Sequence, residues 1–138
     1  MTKKKKEKKL VVKSIFDIDL SEREIILELN GTVIYEEGFD DPVTLVLRKN
    51  NDILLANACL KYIEDEKKAN DKYAENQVER RKAIDKIMAE FVFNATTGFK
   101  NSNMKHDVKT MAYILNICPA FRYVIDKKLE ESDFFVKE

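Results

Sequence analysis

Residues 3–9 (KKKKEKK) contain no apolar side chain, and the first apolar run follows directly as "LVVKSIF" over 10–16. The arm reads as solvated and disordered, because like charges repel and nothing in it can pack. The β-branched run after it predicts a short strand. In "EIILELNGTVIYEE" (24–37), two apolar runs flank Asn30-Gly31. That pair readily takes up the two positive φ angles of a type I′ turn, so the pattern predicts a hairpin of 24–29 against 32–37. The next stretch, "DPVTLVLRK" (41–49), supports two periods. Asp41 and Pro42 fit the N-cap and first position of a helix, whereas Val43, Leu45 and Leu47 alternate with Thr44, Val46 and Arg48 as a strand would. The helix start favours a helical turn here.

The longest pattern runs from Asn51 to Gly98 without an internal Pro or Gly. Asn51 or Asp52 can cap its start, and Gly98 can supply a left-handed stop. A continuous helix over 52–97 would extend ~68 Å at 1.5 Å per residue. Its apolar residues gather at the ends: Ile53, Leu54, Leu55, Leu60, Tyr62 and Ile63, then Ile84, Ile87, Met88, Phe91 and Val92. The middle is charged almost all round, as in a helix that bridges two packed regions or is broken. Asn70 and Asp71 within "KANDK" (68–72) are weaker helix formers than their neighbours and mark the expected break. Both alternatives, one spacer helix or two helices meeting there, predict an elongated shape.

"TGFKNSN" (97–103) reads as a loop, and a further helical block starts near Asn103, with Val108, Met111 and Leu115 on one face. Pro119 either kinks it or opens a new helix at its own first position. Phe121, Val124, Ile125 and Leu129 then form an amphipathic stripe, and the chain ends in "ESDFFVKE". The pattern as a whole gives an α+β, mostly α-helical protein. It has a small N-terminal β-hairpin or sheet, one long central helix (continuous or broken) and C-terminal helices. Residues 10–138 form a single elongated domain behind the basic arm of 1–9.

Composition agrees. With 138 residues, 44% hydrophobic and 36% charged, the chain can bury one core beneath a heavily solvated surface. Three glycines and two prolines are too few for a loop-rich β-sandwich. The absence of a long apolar run predicts no membrane span and no secretory signal, hence a cytoplasmic protein. Six lysines and one glutamate give residues 3–9 a charge of +5, and the overall balance of zero leaves −5 for the remainder.

Candidate chemistry is sparse. Cys59 and Cys118 sit among apolar neighbours and read as reduced, buried thiols. One histidine and two distant cysteines make no zinc set. His106, placed in the first turn of a helix, reads as a surface or partly packed residue. The acidic pairs in "DID" (17–19) and "DD" (40–41) lack the ligand spacing and turn glycine of a calcium loop, and fit loop acids and helix caps. No nucleotide-binding, hydrolase or redox motif is present. No catalytic residue, cofactor or metal is expected.

Two binding modes remain. Lys3, Lys4, Lys5, Lys6, Lys8 and Lys9, with "ERRK" (79–82), can neutralise phosphates. Without a nucleic-acid-binding motif, and with a pI near 6.6, nucleic acid is the weaker partner; "ERRK" fits side-chain pairs along a solvated helix better. A protein partner fits the split of apolar residues between two small clusters, which leaves flanks hard to cover within one chain. Phe121, Tyr123, Phe134, Phe135 and Val136 are the candidate anchors. Phe121 also fits the core stripe, and Phe134 and Phe135 are equally core or interface.

A short charged chain with a hairpin around "ELNGTVIY", a mostly helical remainder and no catalytic motif resembles the small tail-assembly chaperones of long-tailed phages. It looks most like the tape-measure-protein chaperones of lactococcal-type siphophages. The resemblance rests on size and element order over the whole chain. It implies a late-expressed, oligomerising, non-virion protein of the host cytoplasm that coats an apolar helical tape measure protein until the tail tube forms. No family motif transfers a binding residue. The alternative is a nucleic-acid-associated or regulatory phage protein acting through the lysine arm.

Overall fold

The computed structural model describes residues 13–14, 22–49 and 51–130. The expected basic arm and the C-terminal "ESDFFVKE" lie outside these residues. So does the expected strand at 10–16, except for Lys13 and Ser14, which are in no strand. The described chain is α+β, with four helices and a small antiparallel sheet.

The first extended segment changes partner halfway. β1 (Arg23–Ile26) pairs antiparallel with β4 (Thr44–Leu47), whereas β2 (Glu28–Leu29) pairs with β3 (Thr32–Val33). Leu27 is the junction: its N–H donates to Val43 O (2.9 Å) and its carbonyl accepts from Ile34 N–H (3.0 Å). Asn30 and Gly31 do take positive φ angles of 52° and 82°, so the expected turn forms. The ladder around it is shorter than 24–29 against 32–37, because residues 23–26 are claimed by β4 instead.

β4 corrects the helical reading of 41–49. It is the central strand, between β1 and β5 (Thr96–Lys100), and all four of its residues are buried. Ile25, Leu27, Val43, Leu45 and Leu47 face the helices and belong to the core, while Thr44 and Val46 are buried on the other face. A helical turn would present part of this run to water. The strand buries both faces, which explains why apolar residues outnumber the alternation.

The central helical pattern is two helices, α1 (Ile53–Lys72) and α2 (Gln77–Ala95). Asp52 caps α1, its Oδ1 accepting from Leu54 N–H at 2.8 Å. The break comes at Tyr73–Asn76, just past "KANDK", because Asn76 caps α2 by accepting from Glu79 N–H at 3.2 Å. The helices run antiparallel, with Lys61 near Glu90 (3.4 Å) and the Tyr62 and Phe91 rings 5.0 Å apart. Each is therefore about 30 Å long, and Ala69 is the sole fully buried residue between Tyr62 and Ala89.

Gly98 does not stop a helix: α2 ends at Ala95, and Gly98 lies opposite Val46 in β5, where 97–100 had read as loop. The third helix, α3 (Val108–Ile117), begins later than Asn103. The Glu36 carboxylate holds residues 102–103 out of a helix, through Ser102 Oγ (2.7 Å) and Asn103 N–H (2.8 Å), and Asp107 supplies the cap to Thr110 N–H (2.8 Å). Pro119 opens a separate helix, α4 (Ala120–Glu130). The core lies between the sheet and the helices, built from the strand residues above with Leu55, Ala58, Phe91, Val92, Met111, Ile114, Phe121 and Ile125.

Candidate interaction surface

Several polar side chains of the described residues hold the fold together. His106 precedes the cap of α3 and so is not in its first turn. Its ring stacks on Phe93 (4.8 Å) and meets Phe99 edge-on (6.1 Å). Its Nε2 lies 2.7 Å from Thr96 Oγ1, which donates to Val92 O (2.8 Å). With the hydroxyl proton committed to that carbonyl, Nε2 carries the ring proton and donates to Thr96. Burial, then the charge of Arg48, lowers the His106 pKa from its usual value.

The pH dependence has a definite sign. Between the lowered folded value and the unfolded value of about 6.5, the unfolded chain binds more protons, so stability falls as pH drops. Above about pH 6.5 the contribution is complete. The urea midpoint is expected to fall from pH 7 to pH 5, and to fall less in His106→Gln. Equal slopes for both chains would remove His106 as the cause.

No group of three or more His, Cys, Asp and Glu among the described residues is placed to hold a metal ion. Asp40 and Asp41 are exposed in a loop, and "DID" lies outside the described residues. Burial raises the pKa of the Cys59 thiol, which disfavours the reactive thiolate, and Cys118 Sγ donates to Glu28 O at 2.6 Å. Within "ERRK", Arg81 pairs with Asp85 (3.5 Å) and Lys82 with Glu79 (3.5 Å) along the exposed face of α2.

Of the candidate anchors, Phe121 is in the core at 4% exposure, while Tyr123 is 69% exposed on the same helix. Burial removes Phe121 from any open patch. Phe134, Phe135, Val136 and the arm lysines Lys3, Lys4, Lys5, Lys6, Lys8 and Lys9 lie outside the described residues. Of the expected C-terminal patch, the described residues therefore include only Phe121, buried, and Tyr123, exposed.

Two other apolar surfaces stand open. On α1, Ile53, Leu60 and Ile63 are 69%, 65% and 63% exposed, with Ala56 exposed between them. Their spacing of i, i+3, i+7, i+10 is the a/d seam of a coiled coil over two heptads, facing away from the core. The spacing was present in the sequence, but Leu55, Ala58 and Tyr62 interleave with it and supply the face that packs inward. Among the described residues no helix is long and apolar enough to cross a membrane.

The second surface is a groove of about 420 Å³ between the β1–β2 edge and the start of α4, with Ile26, Pro119, Ala120 and Val124 among its apolar walls. Cys118 Sγ to Glu28 O (2.6 Å) and Arg23 Nη1 to Lys128 O (2.8 Å) fix α4 along the strand. No sequence signal marks this groove, because its walls lie about ninety residues apart. No protein-family model, curated protein or solved structure matches the chain.

Proposed function

We propose that the protein is a non-enzymatic, self-associating assembly chaperone that masks apolar helical segments of a partner, the tape measure protein of a long-tailed phage being the client class. The exposed seam on α1 carries this reading. A helix that presents Ile53, Leu60 and Ile63 to water at heptad spacing is complementary to another amphipathic helix, and a short seam of two heptads binds reversibly. Repetition of weak sites over an oligomer then supplies avidity. A client coat needs both properties, since it must release when the tail tube closes around the client.

The test is co-expression with a long apolar helical client, scoring soluble client and sedimentation of the complex. Leu60→Lys with Ile63→Lys is expected to lower soluble client several-fold while leaving the fold intact, because both side chains already face solvent. Truncation after Glu131 is expected to reduce oligomer size and client solubility through loss of Phe134 and Phe135. Client solubility unchanged by both alterations would rule out the chaperone reading.

A further inference from the structure

Among the described residues strand β1 is an outer strand of its sheet, and its outer edge lines the groove beside α4. Leu27 directs its N–H and carbonyl toward β4 and β3. By strand alternation Glu24, Ile26 and Glu28 direct theirs the other way, into the groove. The Glu28 carbonyl accepts from Cys118 Sγ; among the described residues no strand pairs with the outward groups of Glu24 and Ile26.

The side chains of these three residues are exposed and share one face, in the order acid, apolar, acid. That order disfavours pairing with the same edge of a second copy, since an antiparallel match about Ile26 sets Glu24 against Glu28. It matches the arm. Lys9, Val11 and Lys13 have the order base, apolar, base at the same spacing of two, and Leu10 and Val12 between them are apolar. With Val11 opposite Ile26, both lysines meet glutamates whichever way the strand runs.

We propose that residues Lys9–Lys13 of one copy add as a strand to the Glu24–Glu28 edge of a second copy. The inference rests on the self-association stated above and gives it a contact. In its own chain Lys13 is in no strand, and Glu24 pairs with Lys100, so the donor is another copy. Arm into groove is a heterologous contact. It propagates head to tail, into rings or open arrays.

Sedimentation velocity over a concentration series at low salt tests this with two full-length variants, Lys9→Glu/Lys13→Glu and Glu24→Lys/Glu28→Lys. Each alone replaces two attractive cross-strand pairs by repulsive ones and is expected to associate at least about tenfold more weakly than wild type. An equimolar mixture is expected to associate as wild type does, since each arm then meets a groove of opposite charge. If either variant alone associates like wild type, or the mixture stays as weak as its components, the arm contact is overturned and self-association stands. Wild type that remains monomeric throughout overturns both. The Glu24 change also loses the Lys100 pair, so circular dichroism monitors the fold. The single exchange of Lys9→Glu with Glu28→Lys, which spares Glu24, repeats the test and must show the same loss and recovery if the strands run antiparallel.

Discussion

Leu45→Ala is expected to cost about 3–5 kcal/mol of folding free energy and to lower the melting temperature by roughly 10–20 °C. Leu45 is fully buried in the central strand, opposite Ile25 in β1 and Phe99 in β5. Its side chain faces the helices, so truncation leaves a hole with strands on two sides and helices above. Ladder bonds on both edges hold the backbone in place, and the hole cannot collapse. Val46→Ala offers the contrast. That side chain lies on the opposite face, outside the main core, in register with Glu24 and Gly98, and its loss is expected to cost about 1 kcal/mol. Urea midpoints with unchanged m-values give both numbers. Equal losses at the two positions would mean that the helices do not cover the Leu45 face.

The same strand shows where the sequence stops informing. Asp41-Pro42 is good local chemistry for a helix start, but Val43–Leu47 is decided by β1, some twenty residues upstream, and β5, some fifty downstream. Burial on both faces erases the alternation that would have announced a strand. Asn30-Gly31 was legible because a two-residue turn depends on its own backbone preferences. Asn76 as a cap was equally local, yet Asn70 and Asp71 offered a competing break five to six residues earlier. On α1, apolar residues occupy nearly every direction between Ile53 and Ile63. The seam therefore became distinct from the core face only once Tyr62 and Ala58 were seen against α2. The groove beside α4 was illegible for a topological reason: edge and wall meet only in the folded chain. The charge pattern of the arm could be read from the start, but its complement could not be chosen until Glu24, Ile26 and Glu28 were known to share an exposed edge.

Arg48→Met is expected to destabilise the fold by about 2–3 kcal/mol, although the residue lies in a connection and is partly exposed. A helix ends with four carbonyls that have no intrahelical donor. At the end of α2 each has a named partner. Val92 O accepts from Thr96 Oγ1 (2.8 Å) and Phe93 O from Thr96 N–H. Asn94 O accepts from Arg48 Nε (2.7 Å) and Ala95 O from Arg48 N–H (3.0 Å). The guanidinium also reaches Asp52 Oδ2 (3.4 Å), whose other oxygen caps α1. One side chain thus links the start of α1 to the end of α2 immediately after the central strand, with its positive charge at the negative end of a helix dipole. Methionine keeps the aliphatic packing and the backbone bond to Ala95 O. It leaves Asn94 O without its charged donor and Asp52 without its counter-ion. Lysine keeps the charge but not the fork, and is expected to recover about half of the loss. A second measurement separates this capping role from packing alone. Burial comes first in lowering the His106 pKa and Arg48 second, so Arg48→Met is expected to raise the titration midpoint of the chain's one histidine, followed by NMR, while Arg48→Lys leaves it nearer the wild-type position. A midpoint unchanged in both variants would place the Arg48 charge elsewhere than at the junction of α2 with β5.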